Sequence, residues 1–425
     1  MKVTLFTVRV RMLSPGGVGG SEASRDAGNT LGLRRDPWDR PHLPGTTVAG
    51  NLRDHCRRVA PDLQDAFGRG GDDLGRSDSV RRGSDIQVLG THHRHGTSSV
   101  RTRTAIDPLR GAARSTSLHQ VEQLPAGTEF DIVLRWDDVE PHRREKFVEV
   151  LRAWQPRFGR GASYGAGRCA VVGLGVADYD LTTRDGLYRW LQQTESQPYP
   201  DPEPLSEAPA EPSWAVDVRF DIVDGIHIGG GEPPEDAENG DVEVGWVQRD
   251  SEGRPVVPGS SLKGVLRSRA EYVCRVVGAT TCHGDERGCG ADACRPCRIF
   301  GYTDGTGKAR RAAVAVHDSP IENERTEIRC RVAIDRFTGG ARDQHLYHTE
   351  LVVAGSSRLR VEELAHLDAA DRLLLHAVVA DLHDGLVGLG ARTTAGQGTV
   401  VVSDGAWSRP DLEGVARQLC GSDGS

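Results

Sequence analysis

The chain has 425 residues, 37% of them apolar, and 52 glycines, a composition that supports packed cores over two domains' worth of chain and excludes wholesale disorder. No apolar run approaches the roughly 18 residues a membrane span needs, and the alternating start, with Arg9 and Arg11, reads as a strand and not a signal peptide, so a cytoplasmic protein without membrane contact is expected. The net charge of −8 argues against simple non-specific nucleic-acid binding, but residues 1–195 carry 29 basic and 24 acidic side chains against 24 and 37 in the remainder, which leaves the first half basic.

In chain order, a strand is expected over Val3–Val10, followed by a glycine turn at Gly16–Gly20 and an irregular acidic loop. Pro44-Gly45 opens a helix that runs through Arg53. The segment Arg76–His119 holds eight arginines, Arg101 and Arg103 among them, and reads either as a phosphate-binding arm or as a solvated loop. Its His92, His93 and His95 have no partner carboxylate or cysteine nearby in sequence and are expected to be loop residues. VRTRTAID ends at Asp107, a helix is expected over His142–Trp154, and the glycine loop FGRGASYGAGR, with Arg160, leads into a β-rich run at Cys169–Gly173. The stretch Gln197–Pro212 contains six prolines and no hydrophobic period, and is expected to be an extended linker.

The same landmarks then recur. A strand over Trp214–Ile222 leads to Gly229–Gly231, an acidic loop, and a second Pro-Gly helix start, VVPGSSLKGVLR, which ends at Arg267. IRCRVAID, with Arg329 and Arg331, ends at Asp335; a helix over Asp368–His383, the loop LGARTTAGQG with Arg392, and a β run at Thr399–Ser403 follow. The offsets are 214 at the Pro-Gly starts (Pro44, Pro258), 228 at the aspartates (Asp107, Asp335) and 231 at the glycine loops (Phe158, Leu389). Three ordered matches with slowly drifting offsets indicate a duplicated, fused domain: residues 1–196, a linker over 197–212, and residues 213–425. Strand, helix, several strands, helix, strand is the split βαβ order, so the expected class is α+β with two tandem ferredoxin-like domains, whose open sheet face RNA-recognition folds use.

Four groups of residues invite a chemical reading. Thr46, Thr47, Ser260 and Ser261 can cap the helix starts, and Lys263 lies one turn in, able to meet a phosphate; the plain alternative is a capped helix with an incidental lysine. The glycine loops can bring Arg160 and Arg392 close to a ligand, or serve only as tight turns. Cys282, Cys289, Cys294 and Cys297 place four soft ligands within sixteen residues and fit a structural zinc knuckle, with His283 as a substitute ligand and a redox Cys294–Cys297 pair as the alternative. The first half has no such cluster. Carboxylates in the early loops, Asp26 and Asp36 in one half and Asp241, Glu243 and Asp250 in the other, can hold Mg²⁺ or position a 2′-hydroxyl for in-line attack, or be simply solvated.

PGSSLKG followed by CRPCRIFG, RVAID and GLGARTTAGQG resembles the RAMP superfamily of CRISPR effector proteins, and more narrowly the backbone subunits of type III complexes. Two fused copies are most similar to the tandem backbone proteins of III-D-like systems. The first half departs from the pattern, with Ala49 in place of the motif lysine and no cysteine cluster. The resemblance implies ferredoxin-like cores that bind guide RNA through Lys263, Arg53, Arg267 and the arginines at 101, 103, 160, 329, 331 and 392. It implies hairpin thumbs after Asp107 and Asp335, roughly 108–128 and 336–353, and neighbouring subunits of an effector complex as partners. It also implies metal-dependent cleavage of target RNA by a loop aspartate in each half. At the family's aspartate position, about six residues before an Arg-Asp pair, stand Thr30 and Val244; Asp26 and Asp241, with Glu243 nearby, are the substitutes. A guide-binding scaffold without catalysis and a metal-independent guide-processing endoribonuclease are the alternatives.

Overall fold

The computed structural model describes residues 1–20, 30–68, 83–107, 112–113, 115–192, 199–206, 209–231, 233, 243–282, 289, 293–303 and 309–420. It is a mixed α+β structure of two compact units, residues 1–100, 120–162 and 166–211 in one and residues 101–119, 163–165 and 212–425 in the other.

In the first unit, β1 (Lys2–Met12) lies at the centre of an antiparallel sheet. α1 (Gly45–Val59) and β2 (Ile86–His95) follow, then β3 (Glu129–Asp137), α2 (Pro141–Arg152) and β4 (Cys169–Asp180). The strand order is β4-β1-β3-β2, and every neighbouring pair is antiparallel. α1 begins where Pro44 holds φ at −59°, and it buries Val48, Leu52, His55 and Cys56, an i, i+4, i+7, i+8 stripe. That stripe and Phe147, Val150 and Leu151 of α2 share one core with Phe6, Val8 and Val10 of β1. Two expectations change here. His92, His93 and His95 stand on β2, where His93 packs on Phe130, so they are strand residues and not loop residues. Glu203 and Pro204, in the proline-rich stretch, pair with β4 and add an edge strand, because an extended segment next to an open sheet edge can satisfy its backbone groups there. A short helix, α3 (Arg184–Leu191), is capped by Thr183, whose hydroxyl accepts the Gly186 N–H at 3.0 Å.

The second unit repeats the plan with β5 (Trp214–Ile222), α4 (Gly259–Val276), α5 (Arg295–Phe300), β6 (Val314–Val316), β7 (Glu322–Ile334), β8 (Ala341–Glu363), α6 (Ala369–His383), β9 (Val400–Val402) and α7 (Leu412–Cys420). β5 lies between β9 and the C-terminal part of β8, which also pairs with β6, so the order is β9-β5-β8-β6. This is the first unit's order with equivalent strands. Val218 and Phe220 of β5, Leu262 and Leu266 of α4, and Leu374 and Val378 of α6 form its core. The N-terminal part of β8 pairs with β7 as a long two-stranded ribbon whose turn is tied by Asp335, a carboxylate that accepts the Phe337 and Thr338 N–H groups. The ribbon begins at Glu322, so Asp335 sits at its tip and not at its base.

The paired glycine loops are turns in the first instance. Gly159 has φ +95°, and a Cβ there would lie 1.7 Å from the Gly17 carbonyl oxygen; Gly390, its equivalent, has φ +86° and would meet the His227 carbonyl at 2.5 Å. Each loop passes too close to the glycine turn after the first strand to carry a side chain at that point.

Candidate functional site

The loop that follows the first strand is framed in the same way in both halves. Arg35–Asp36 and Arg249–Asp250 mark its return. The Asp36 carboxylate accepts the N–H groups of Trp38 and Arg40 and the Arg40 guanidinium, and Asp250 does the same with Glu252, Arg254 and the Arg254 guanidinium. These two carboxylates tie turns. The preceding arginines reach a glutamate at the base of the following hairpin. Arg35 pairs with Glu122, which also accepts the Leu33 N–H at 2.8 Å. Arg249 pairs with Glu350 at 3.0 Å, and Glu350 accepts the Val247 N–H at 3.0 Å. Just upstream, Thr30–Leu31 pair in parallel with Gln120–Val121, and Val244–Gly245 with His348–Thr349. Thr30 and Val244 are therefore structural equivalents, pinned to the two hairpins. Asp26 and Asp241 fall outside the described residues. Glu243 is exposed and immediately precedes the pinned Val244.

Around the pinned end of the second loop the ribbon offers basic and aromatic groups. Arg331 is paired in register with Tyr347, and Arg329 with Thr349, so these side chains share one face. Arg392, from the glycine loop, lies over the Tyr347 ring at 4.6 Å, and its Nη1 is buried without a hydrogen-bond partner. His227 hydrogen-bonds the Glu350 carbonyl oxygen at 2.8 Å; burial holds its pKa below the ordinary histidine value. Arginine and tyrosine on one face, beside a loop that reaches its pinned end through the Glu243 carboxylate, make a surface that can hold a phosphate backbone and stack a base.

The helix starts differ from the sequence expectation. Neither α1 nor α4 has a side-chain cap, so Thr46, Thr47, Ser260 and Ser261 do not cap these helices. The Gly259 N–H instead donates to Asp318 at 2.7 Å, which puts an anionic group at the N-terminus of α4. The other Asp318 oxygen holds Arg101 at 2.6 Å, and Arg103 lies 4.5 Å over the Tyr164 ring. Lys263 is part-buried and donates to the Ser163 hydroxyl at 2.8 Å; burial, with Arg267 one turn away, pushes its pKa down to about 8. Arg53, at the position equivalent to Arg267, is part-buried on α1, and Arg160 is exposed beside Gly19.

The cysteines gather as the spacing predicts. The Sγ atoms of Cys282, Cys289, Cys294 and Cys297 all lie within 4.8 Å of one another, with Cys282–Cys297 at 3.4 Å and Cys294–Cys282 at 3.9 Å. A tetrahedral ion with metal–sulfur bonds near 2.3 Å sets its sulfurs roughly 3.8 Å apart, so the donor set fits such an ion. Hydrogen bonding from Cys297 stabilises the Cys294 thiolate and brings its pKa down to about 4, while Cys297 is pushed up in return. Arg267 donates to the Cys297 sulfur at 3.4 Å and to the Gly301 carbonyl oxygen at 2.7 Å. Arg295 and Arg298, the residues after Cys294 and Cys297, grip Asp368 and Asp371, which form the capping box of α6. Cys56, Cys169 and Cys274 are buried elsewhere, with burial raising all three thiols. His283 is outside the described residues.

Sequence reasoning missed the Arg–Glu pairs and Asp318. The pairs had a signal, since Arg35 and Arg249 keep the 214 offset and Glu122 and Glu350 keep the 228 offset. Asp318 had none, because the first half carries Gly90 at the same offset.

Comparison with known proteins agrees with the duplication. A family model described as the RAMP superfamily matches this chain twice, over residues 9–170 and 219–401. A curated protein of Methanocaldococcus jannaschii, named CRISPR system Cms endoribonuclease Csm3, is 35% identical over 150 residues, which cover 32% of this chain and 56% of that protein. Among the described residues, no helix is long and apolar enough to cross a membrane.

Proposed function

Because the chain belongs to the RAMP superfamily through both of its halves, we propose that it is a double backbone subunit of a type III CRISPR ribonucleoprotein, one that holds guide RNA and cuts paired target RNA at one or both loops. The observation that carries this reading is the repeated frame: in each half the loop after the first strand is pinned to the base of a hairpin and returns through an Arg–Glu pair. Each half is read as a ferredoxin-like core on the strength of its strand order, and the ribbon of β7 with the N-terminal part of β8 as the second thumb. Arg329, Arg331 and Arg392 face the RNA backbone, with Tyr347 available to stack a base; Arg53 and Arg160 contribute charge in the first half. Lys263 supports the reading in a different way. An ammonium held where burial lowers its pKa opposes folding, and that cost is understandable if a phosphate replaces Ser163 as its partner. Arg101 and Arg267 already have protein partners, Asp318 in one case and Glu271 and Cys297 in the other.

The tetrad is read as a structural Zn²⁺ site in which all four ligands come from cysteine, so no position is open for chemistry. For cleavage, Asp26 in the first loop and Asp241 with Glu243 in the second are the carboxylates that orient the 2′-hydroxyl toward the scissile phosphorus. A divalent ion such as Mg²⁺, when bound, supplies neutralising charge at that phosphate. Target cleavage by the assembled complex, with Mg²⁺ and with EDTA, tests this on a denaturing gel. Asp26→Ala and Asp241→Ala should each erase one cut and leave guide protection unchanged; cuts that persist in the double variant would refute the assignment of those residues. A second reading, a guide-binding scaffold without catalysis, is favoured by Thr30 and Val244 at the family's aspartate position, and an intact target with a protected guide would establish it.

A further inference from the structure

The two halves differ at one edge of their sheets. In the first, β4 runs antiparallel to β1 along its whole length, and Thr4–Val8 stand opposite residues 174–178. In the second, Phe220 pairs with Val402 as Val10 pairs with Val171, so Trp214–Val218 are the equivalents of Thr4–Val8. There, however, β9 reaches only Phe220, Asp221 and Ile222. Among the described residues, no strand pairs with Trp214–Val218 on that side.

The chain leaves the sheet just beyond β9. The Ser403 N–H still donates to the Arg219 carbonyl oxygen at 2.9 Å. Asp404 then closes a turn, its carboxylate accepting the Ala406 N–H at 3.0 Å and its carbonyl oxygen the Trp407 N–H at 3.1 Å. Residues 405–409, which match 174–178 at the 231 offset, therefore turn away instead of pairing. A cavity of about 510 Å³ is left between that segment, α6 and the free edge, lined in part by Trp214, Val216, Val218, Leu373, His376 and Trp407. That volume is in the range of ligand-binding clefts.

The cavity holds polar groups that lack a partner. Strand residues present their backbone groups to alternate sides, and Arg219 faces β9, so the N–H and C=O of Asp217 face the cavity. The Trp407 Nε1 is buried without a hydrogen-bond partner. The carboxylates of the lining are already engaged: Asp217 pairs with Arg358 and Arg360, and Asp404 holds its own turn. Backbone groups without partners, next to apolar walls and no free charge, suit an uncharged strand.

We propose that this edge receives an extended segment of a different polypeptide, added antiparallel to β5 as β4 is to β1. The first half shows what such a segment must carry. Leu174 and Val176 pack on the first core from β4, so the incoming strand needs aliphatic residues at alternate positions, set beside Val216 and Val218. One of its acceptors takes the Trp407 N–H. None of the lining residues is among those assigned to RNA or to cleavage, so the proposal stands apart from that reading.

The probe is a fluorescent peptide copying Gly173–Asp180, the strand that covers this edge in the first half. It is titrated into the full chain by anisotropy, and amide hydrogen exchange is measured on the same complex. Saturable binding is expected, with exchange at the Asp217 amide slowed about tenfold or more. The Thr7 amide, already opposite Gly175, should not change. Trp407→Phe keeps a ring and removes the donor, and should raise the dissociation constant about three- to tenfold. A second variant combines Gly405→Leu, Ala406→Gly, Trp407→Val, Ser408→Ala and Arg409→Asp, which copies residues 174–178 into the C-terminal segment. It should protect the Asp217 amide by itself and bind no peptide. Four results would overturn the proposal. They are no saturable binding, binding that leaves the Asp217 amide unprotected, an Asp217 amide as slow as that of Thr7 in the free chain, or protection that grows with protein concentration. The third would mean that a segment of this chain covers the edge, and the fourth that a second copy does.

Discussion

Replacing Arg249 by alanine should be the most damaging single change in the loop frame. Glu350 is 4% exposed and Arg249 17%, and the guanidinium forks both carboxylate oxygens. Without it, the one partner left to the carboxylate among the described residues is the Val247 N–H. Breaking a buried pair while leaving one charge in place costs about 3–5 kcal/mol. The equivalent pair is wetter, with Arg35 32% and Glu122 14% exposed, and Glu122 keeps both the Leu33 N–H and the Ser98 hydroxyl at 2.6 Å. Solvent screening and those donors reduce the expected loss for Arg35→Ala to about 1–2 kcal/mol. Urea unfolding of both variants, with hydrogen exchange at the Leu33 and Val247 amides, measures the difference directly. Arg249→Met combined with Glu350→Leu should recover most of the lost stability, since no charge is then stranded. Equal losses in the two halves, or no recovery in the double variant, would refute the reasoning.

Lys263 gives a pH-dependent prediction. Its folded pKa of about 8 lies below the unfolded value of about 10.4, so the unfolded chain binds more protons between those values and stability rises with pH across that window. Lys263→Met should therefore stabilise the chain at pH 7, by about 1–2 kcal/mol once the lost Ser163 hydrogen bond is subtracted from a ceiling of about 3, and the gain should shrink by pH 10. A variant that is less stable at pH 7, or a gap that does not change with pH, would contradict this; the same variant should bind guide RNA more weakly. One Zn²⁺ per chain is expected by metal analysis. Cys294→Ser should release it and loosen the contacts of Arg295 and Arg298 with α6, seen as faster exchange at the Asp371 amide; full zinc retention in Cys294→Ser together with Cys297→Ser would dismiss the site.

Much of the fold could be read in the sequence because the two halves keep the same spacing. The 214 offset proves to be the shared turn from Arg35 to Pro44 and from Arg249 to Pro258, the 228 offset runs from the second strand through the hairpin, and the 231 offset joins loops that bend at the same glycines. What escaped has a physical cause. Residues 322–330 are exposed on both faces of a two-stranded ribbon, so no burial period marks them as a strand. Glu203–Pro204 form an edge strand by pairing alone, in a segment whose prolines suggest only extension. The helix starts carry hydroxyl residues that look like caps, yet the carboxylate at the α4 N-terminus comes from Asp318, fifty-nine residues away in sequence. A tertiary partner at that distance leaves no local pattern.

The glycine loops also limit what motifs of this kind can tell. Besides Gly159 and Gly390, Gly167 and Gly398 place a notional Cβ within 2.0 and 2.2 Å of a backbone oxygen. Four positions are thereby closed to every side chain by geometry alone, whether or not a ligand ever touches the loop. A glycine pattern enforced in this way would persist in a copy that had lost all contact with RNA, so its presence carries no information about binding. The informative positions are the ones between: Arg160 is exposed, and Arg392 keeps its side chain at φ +61°, a left-handed backbone that favours glycine and where the first half has Gly161.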